Sequence, residues 1–186
     1  GPLSNPGGDH ALNGDEAPPF DEAAARAAAV LIPVVRRSDP TVLLTQRPSA
    51  MRSHAGQVAF PGGKIDPEDG TPLNAALREA EEEVGLPRQQ VQVLGLLPAH
   101  RTVTGFSMTP VLGLIHGPVT LFPEAGEVAE IFTVPFDHIA NPANYRIERR
   151  LWRGDWRAFQ TVPWGPYYIW GATARVLYSL ARRLNS

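Results

Sequence analysis

The chain has 186 residues, 43% of them hydrophobic and 19% charged, which is enough to enclose one core. A formal net charge of −2 supplies no global attraction to nucleic acid or to an anionic membrane. A polyanionic ligand would therefore have to be neutralised locally, by arginines or by metal ions. The absence of cysteine excludes disulfides and thiolate metal sites and suits a reducing cytoplasm.

No stretch approaches the ~20 apolar residues of a membrane span. The opening GPLSNPGGDHALNGDEAPPF lacks the basic-then-apolar layout of a secretory signal. Its Gly, Pro, Asn and Asp content reads as a loosely packed arm over residues 1–20, with a single domain over 21–186. The apolar run AAAVLIPVV (27–35) predicts a strand buried on both faces, and TVLLTQR (41–47) a second strand after the turn RSDP. Residues 48–70 are rich in turn formers around the short apolar piece QVAF.

A helix over 72–84 is marked at both ends. Thr71 suits the N-cap, Pro72 the first helical position, and Gly85 with Pro87 the stop. Strand-like segments follow at 91–101, 108–116 and 127–135. A hairpin is expected over 145–152 and 156–162 around Gly154-Asp155, then a short extended piece at 167–170. A last helix over 171–184 carries Leu177, Leu180, Ala181 and Leu184 as one apolar stripe. Several strands with irregularly placed helices predict a mixed sheet covered by helices rather than a regular βαβ alternation.

The helix over 72–84 raises a question of charge. Glu79, Glu82 and Glu83 stand at i, i+3 and i+4 and so share a face, while Glu81 points elsewhere. An acidic run is usually a solvated face. Here, however, like charges repel at i,i+4 and lie where the helix dipole disfavours them. Hard divalent cations supply the compensation, because Mg²⁺ binds carboxylates while keeping waters and phosphate oxygens. Gly62-Gly63 can bring backbone close to such a cluster, and Arg78 can pair with Glu82.

The segment GGKIDPEDGTPLNAALREAEEEVGL resembles the Nudix box, G-x5-E-x7-R-E-U-x-E-E-x-G-U, where U is apolar. Gly63, Arg78, Glu79, Ala80, Glu82, Glu83, Gly85 and Leu86 match. Asp69 stands in place of the first Glu, and eight residues rather than seven separate it from Arg78, which leaves a role for Asp69 in doubt. The resemblance implies the Nudix fold, a mixed sheet between helices in an α/β/α class. It also implies a hydrolase of nucleoside diphosphates linked to another group, working with Mg²⁺ or Mn²⁺. Glu82 and Glu83 are then expected as metal ligands, Glu79 as a ligand or general base, and the Gly62 carbonyl as a further ligand. Arg78 belongs to the same machinery. A later Glu often completes the site; of Glu124, Glu127 and Glu130, Glu127 fits best, with strand capping as the alternative.

Upstream, LLTQRPSAMRSHAGQVAFPGG (43–63) resembles L-L-T-x-R-S-x3-R-x3-G-x3-F-P-G-G of the coenzyme A pyrophosphatase branch, with Pro48 in place of Ser. YYIWGATARVL (167–177) is also similar to this branch. The implied substrate is coenzyme A or its thioesters, cut to 3′,5′-ADP and 4′-phosphopantetheine or its acylated form. Coenzyme A carries an additional 3′-phosphate, and Arg47, Arg52 and His54 are candidate contacts for the substrate, Arg being able to grip phosphate bidentately. The aromatics of VPWGPYYIW read as core before they read as a ligand surface. ADP-ribose or an oxidised nucleoside triphosphate is the alternative substrate. A non-catalytic nucleotide sensor is a third reading, against which the full set of box carboxylates speaks. No nucleic-acid or membrane partner is expected, the location is expected to be cytoplasmic, and a homodimer stays open.

Overall fold

The computed structural model describes residues 26–49 and 56–186. The expected arm over 1–20, Arg52 and His54 lie outside the described residues.

Strand β1 (Arg26–Val35) is the spine of an eight-stranded sheet. From Ala28 onward its residues are buried, as the unbroken apolar run predicts. β1 runs parallel to β7 (Phe106–Ile115) in a continuous register from Arg26↔Phe106 to Val35↔Ile115. On its other side it pairs antiparallel with β2 (Thr41–Gln46) and with the glycine strand β4 (Gly62–Lys64). β2 pairs in turn with β3 (Val58–Ala59) and β8 (Glu130–Pro135). β5 (Val91–Leu96) and β6 (His100–Arg101) both pair with β7. The sheet is therefore mixed, as expected.

Alternate residues of β1 feed two cores. Ala29, Leu31 and Val35 pack with Ala75, Ala76, Ala80 and Val84 of helix α1 (Pro72–Val84). Val30, Ile32 and Val34 pack with Ala174, Leu177, Leu180 and Ala181 of the last helix, α3 (Gly171–Leu184). Alanines on both helices let them lie close to the sheet, and the α/β/α arrangement follows from period-2 burial on both faces.

Some boundaries differ from the sequence expectation, each for a local reason. The segment 91–101 is two strands parted around Pro98, which lacks an N–H, and a bulge within β5 shifts its register between Val93 and Gly95. The strand expected from 127 starts at Glu130, and a short helix α2 (Phe136–Ala140) follows it. The hairpin of β9 (Arg146–Trp152) and β10 (Asp155–Thr161) turns on Arg153-Gly154, one residue earlier than expected. Both turn residues have positive φ, 50° and 82°, as a two-residue hairpin turn of the primed type requires. Leu184, expected in the stripe of α3, is 53% exposed at the helix end. Among the described residues no helix is long and apolar enough to cross a membrane.

Candidate metal and substrate site

Helix α1 is set at both ends by its own sequence. The Thr71 hydroxyl accepts from the Asn74 amide at 3.2 Å, and Pro72 opens the helix. At the other end Gly85 adopts φ 69°, and the amides of Gly85 and Leu86 donate to the carbonyls of Glu81 and Ala80. The chain then returns over this end. Phe122 N–H donates to the Val84 carbonyl at 2.9 Å and Glu124 N–H to the Glu83 carbonyl at 2.8 Å. The Glu124 carbonyl accepts from Glu127 and Val128, and Ala129 N–H donates to the Gln46 carbonyl at the end of β2. The loop carrying Glu127 is thereby held between the C-terminus of α1 and β2.

The result is a cluster of carboxylates from two distant segments. Oxygens of Glu79, Glu83 and Glu127 lie within 4.8 Å of one another. Glu83 is buried and accepts from the Gly62 amide at 3.2 Å. Burial pushes its carboxyl up to about 8; the Gly62 N–H and the Arg47 charge oppose that rise, and Glu79 and Glu127 add to it. Burial also raises Glu79, against the pull of Arg78. Three converging hard oxygen donors, two of them with carboxyl pKa values raised by burial, fit a divalent cation. Glu82 is not part of this group; its side chain is 60% exposed and pairs with Arg78 at 3.2 Å. Glu81 is exposed, as expected.

Arg78 gathers the acidic groups around it. Its Nε and Nη2 donate side-on to both oxygens of Asp69 at 2.7 and 2.9 Å, and Nη1 donates to Glu79 at 3.1 Å and to Glu82. Nη2 also reaches the Lys64 carbonyl and Asp66. Asp69, whose role the shifted spacing left in doubt, is thus the bidentate anchor of Arg78. The guanidinium holds the Asp69 carboxyl below its ordinary value.

Gly62 and Gly63 are required by space. A Cβ on Gly62 would stand 2.4 Å from the Ala29 carbonyl oxygen, and one on Gly63 would stand 2.8 Å from Glu79 Oε1. These clashes differ in kind. Gly62→Ala is expected to destabilise the fold by about 1–3 kcal/mol, since the obstacle is backbone. Gly63→Ala is expected to keep the fold and displace Glu79, lowering kcat. Thermal melts and steady-state assays of the two variants check this contrast.

The two glycines also line a cavity of about 450 Å³. Its walls are mainly apolar, with Val30, Phe60, Phe106, Met108 and Trp170 among them, and three cations, Arg47, Lys64 and Arg175, join the lining. Arg47 follows β2, its N–H donating to the Gln57 carbonyl at 2.9 Å. The first turn of α3 contributes Gly171, Ala172 and Thr173, and the Thr173 hydroxyl ties that turn to the Val58 carbonyl. Of the residues singled out in the sequence, the fold brings together Arg47, Gly62, Glu79, Glu83 and Glu127. Lys64 and Arg175 were not singled out. Arg175 is nine-tenths buried within a helix read as an amphipathic stripe, and a charge there was the available signal. The aromatics of 164–170 mainly pack, Tyr167 stacking on Phe132 and Trp170 edge-on to Phe159, but Trp170 also faces the cavity.

An α/β/α sandwich that sets a glycine strand against a glutamate-bearing helix defines a class of carboxylate site suited to a divalent cation. The NUDIX domain family matches residues 25–151, and the chain belongs to it. Uncharacterized Nudix hydrolases NudL are 44% identical in Citrobacter koseri and 42% in Photorhabdus laumondii, each over 160 residues. Those alignments cover 86% of this chain and 83% and 86% of the relatives. The crystal structure of the M. smegmatis Nudix hydrolase RenU superposes with a TM-score of 0.53 at 29% identity, over 62% of this chain and 74% of that one. A MutT protein from Methanosarcina mazei shares the fold with a TM-score of 0.55 at 17% identity, over 87% and 95%. The protein is accordingly a hydrolase of phosphorus anhydrides acting on a nucleoside diphosphate derivative, in a family that generally uses divalent metal ions.

Proposed function

We propose that this protein hydrolyses the diphosphate of coenzyme A or its thioesters, in a cytoplasmic setting, with Mg²⁺ or Mn²⁺. The observation that carries the hydrolytic site is the convergence of Glu79, Glu83 and Glu127 beside a cavity. The coenzyme A reading is supported by the upstream pattern through Arg47 to Gly63 and by a cavity that combines apolar walls with Arg47, Lys64 and Arg175. Such a lining suits a substrate with both an uncharged arm and phosphates remote from the scissile bond.

In this reading Glu79, Glu83 and Glu127 hold the ion, which when bound would neutralise phosphate charge and lower the pKa of water. The Gly62 amide fixes the Glu83 rotamer, and the Gly62 carbonyl proposed as a ligand stands on the same residue. Arg78 orients Glu79 and Glu82, and the contacts support Glu82 as a partner of Arg78 more than as a ligand. A carboxylate of the cluster takes the proton of the attacking water. Water adds across the P–O–P bond, giving 3′,5′-ADP and 4′-phosphopantetheine, with one proton released. Arg47, on the cavity wall, holds substrate phosphate. Arg52 and His54 are proposed as further contacts on sequence grounds.

The test is steady-state hydrolysis of coenzyme A, dephospho-coenzyme A, ADP-ribose and a nucleoside triphosphate, with products identified by mass. Preferential release of 3′,5′-ADP from coenzyme A is expected. Arg47→Ala is expected to raise KM about tenfold or more, with a smaller change in kcat. Turnover of only another substrate would overturn the coenzyme A assignment and leave the hydrolase.

A further inference from the structure

The hairpin β9–β10 stands apart from the main sheet, and among the described residues no strand pairs with the outer edge of β9. An open edge is a template for another strand. One face of the ribbon is also uncovered on the β9 side and at the turn, while Ala158 and Gln160 of β10 on that face are buried. Leu151 stands opposite Trp156 and Ile147 two pairs along on the same face, and these three side chains are 56%, 64% and 58% exposed. The opposite face packs inward, where Glu148 accepts from the Tyr168 hydroxyl and Arg150 lies over Phe159 and Trp170.

β9 reads RIERRLW, seven residues with Arg149 at the centre. Two antiparallel copies paired over the full strand about a dyad at Arg149 set Ile147 against Leu151 and Glu148 against Arg150, each twice. Apolar meets apolar and acid meets base, on the correct faces, since opposed residues of an antiparallel pair share a face. Moving the dyad to Glu148 would oppose Glu148 to itself and Arg146 to Arg150. Moving it to Arg150 would set Arg149 against Leu151. The strand is self-complementary in one register. The single like-charged pair there is Arg149 with its own copy, exposed at the dyad.

We infer that two copies of this chain associate through the outer edge of β9, forming a four-stranded sheet across a twofold axis. The apolar stripes of the two ribbons then join into one patch. Arg150 joins this edge to the cavity by contact alone, since it packs on Trp170, which lines the cavity. The inference is independent of the substrate assignment, and its test does not use activity.

Sedimentation of the full-length chain over about a hundredfold concentration range measures the association. The wild type is expected to dimerise. Glu148→Arg and Arg150→Glu are each expected to weaken the dimer by about tenfold or more, and the exchanged double variant to recover most of the loss. Each single change also removes a contact inside the protomer, to Tyr168 or to Phe159 and Trp170. The double variant restores neither, so recovery reports the pair between copies. Arg149→Gln, which removes the like-charged pair, is expected to tighten the dimer. A monomeric wild type would overturn the inference, and so would a monomer that binds anionic phospholipid vesicles through this face. A dimer that the double variant does not rescue, or that Arg149→Gln does not strengthen, would overturn the register.

Discussion

Glu83→Gln is expected to lower kcat by about 10³-fold or more while leaving the protein folded. Glutamine keeps the volume of the side chain and an oxygen to accept from the Gly62 amide, so the packing of a buried position is preserved. What it loses is the negative charge that, with Glu79 and Glu127, would hold a divalent ion. Normal turnover by a folded Glu83→Gln variant would sink the assigned site.

The same carboxylate makes stability depend on pH in a definite direction. Glu83 has its pKa pushed from 4.5 up to about 8 in the folded protein, chiefly by burial. Between these values the folded chain holds a proton that the unfolded chain has released, so this group's contribution falls as pH rises through the window. At roughly 1.4 kcal/mol per pKa unit, the effect is on the order of a few kcal/mol. Thermal melts in EDTA should therefore show Tm falling between about pH 5 and pH 8, with Mg²⁺ or Mn²⁺ raising it most at the alkaline end. Glu83→Gln should flatten that slope. An unchanged slope would mean that the cluster is not the titrating element.

The second large effect is expected at Arg78 and Asp69. Arg78 binds Asp69 side-on through two nitrogens and uses a third for Glu79 and Glu82. A lysine cannot span this fork, so Arg78→Lys should behave much like Arg78→Ala. Asp69→Asn leaves the guanidinium without its charged anchor and lets Glu79 drift from the cluster. Partners that orient ligands typically matter by about 10–100-fold in metal affinity or activity, and that range is expected for each variant. Because all act through one network, Arg78→Ala with Asp69→Asn should cost little more than either alone. Titration of Mn²⁺ binding separates this from general destabilisation. Unaltered Mn²⁺ affinity and kcat in Asp69→Asn would remove the orienting role.

Much of this site was legible in local spacing. The caps of α1 are local rules, Thr71, Pro72 and Gly85 each acting on backbone within a turn, and the structure keeps them in place. Glu79 and Glu83 share a face because of the 3.6-residue period, and Glu81 points away for the same reason. β1 was readable because burial on both faces demands an unbroken apolar run. What the spacing left unsettled was decided by contacts between segments remote in sequence. Glu127 rather than Glu124 or Glu130 joins the cluster because the 122–128 loop bonds to the end of α1. Glu82, expected on the same face as Glu83, pairs with Arg78 outside the three-glutamate cluster, and Asp69 is recruited to the same arginine despite its displaced spacing. Lys64 and Arg175 line one cavity with Arg47 only because β4 and α3 both border it. Periodicity assigns a side chain to a face, since that depends on a few neighbouring dihedrals. Which faces meet depends on the long-range pairing of β1 with β4 and β7, and that belongs to the tertiary structure.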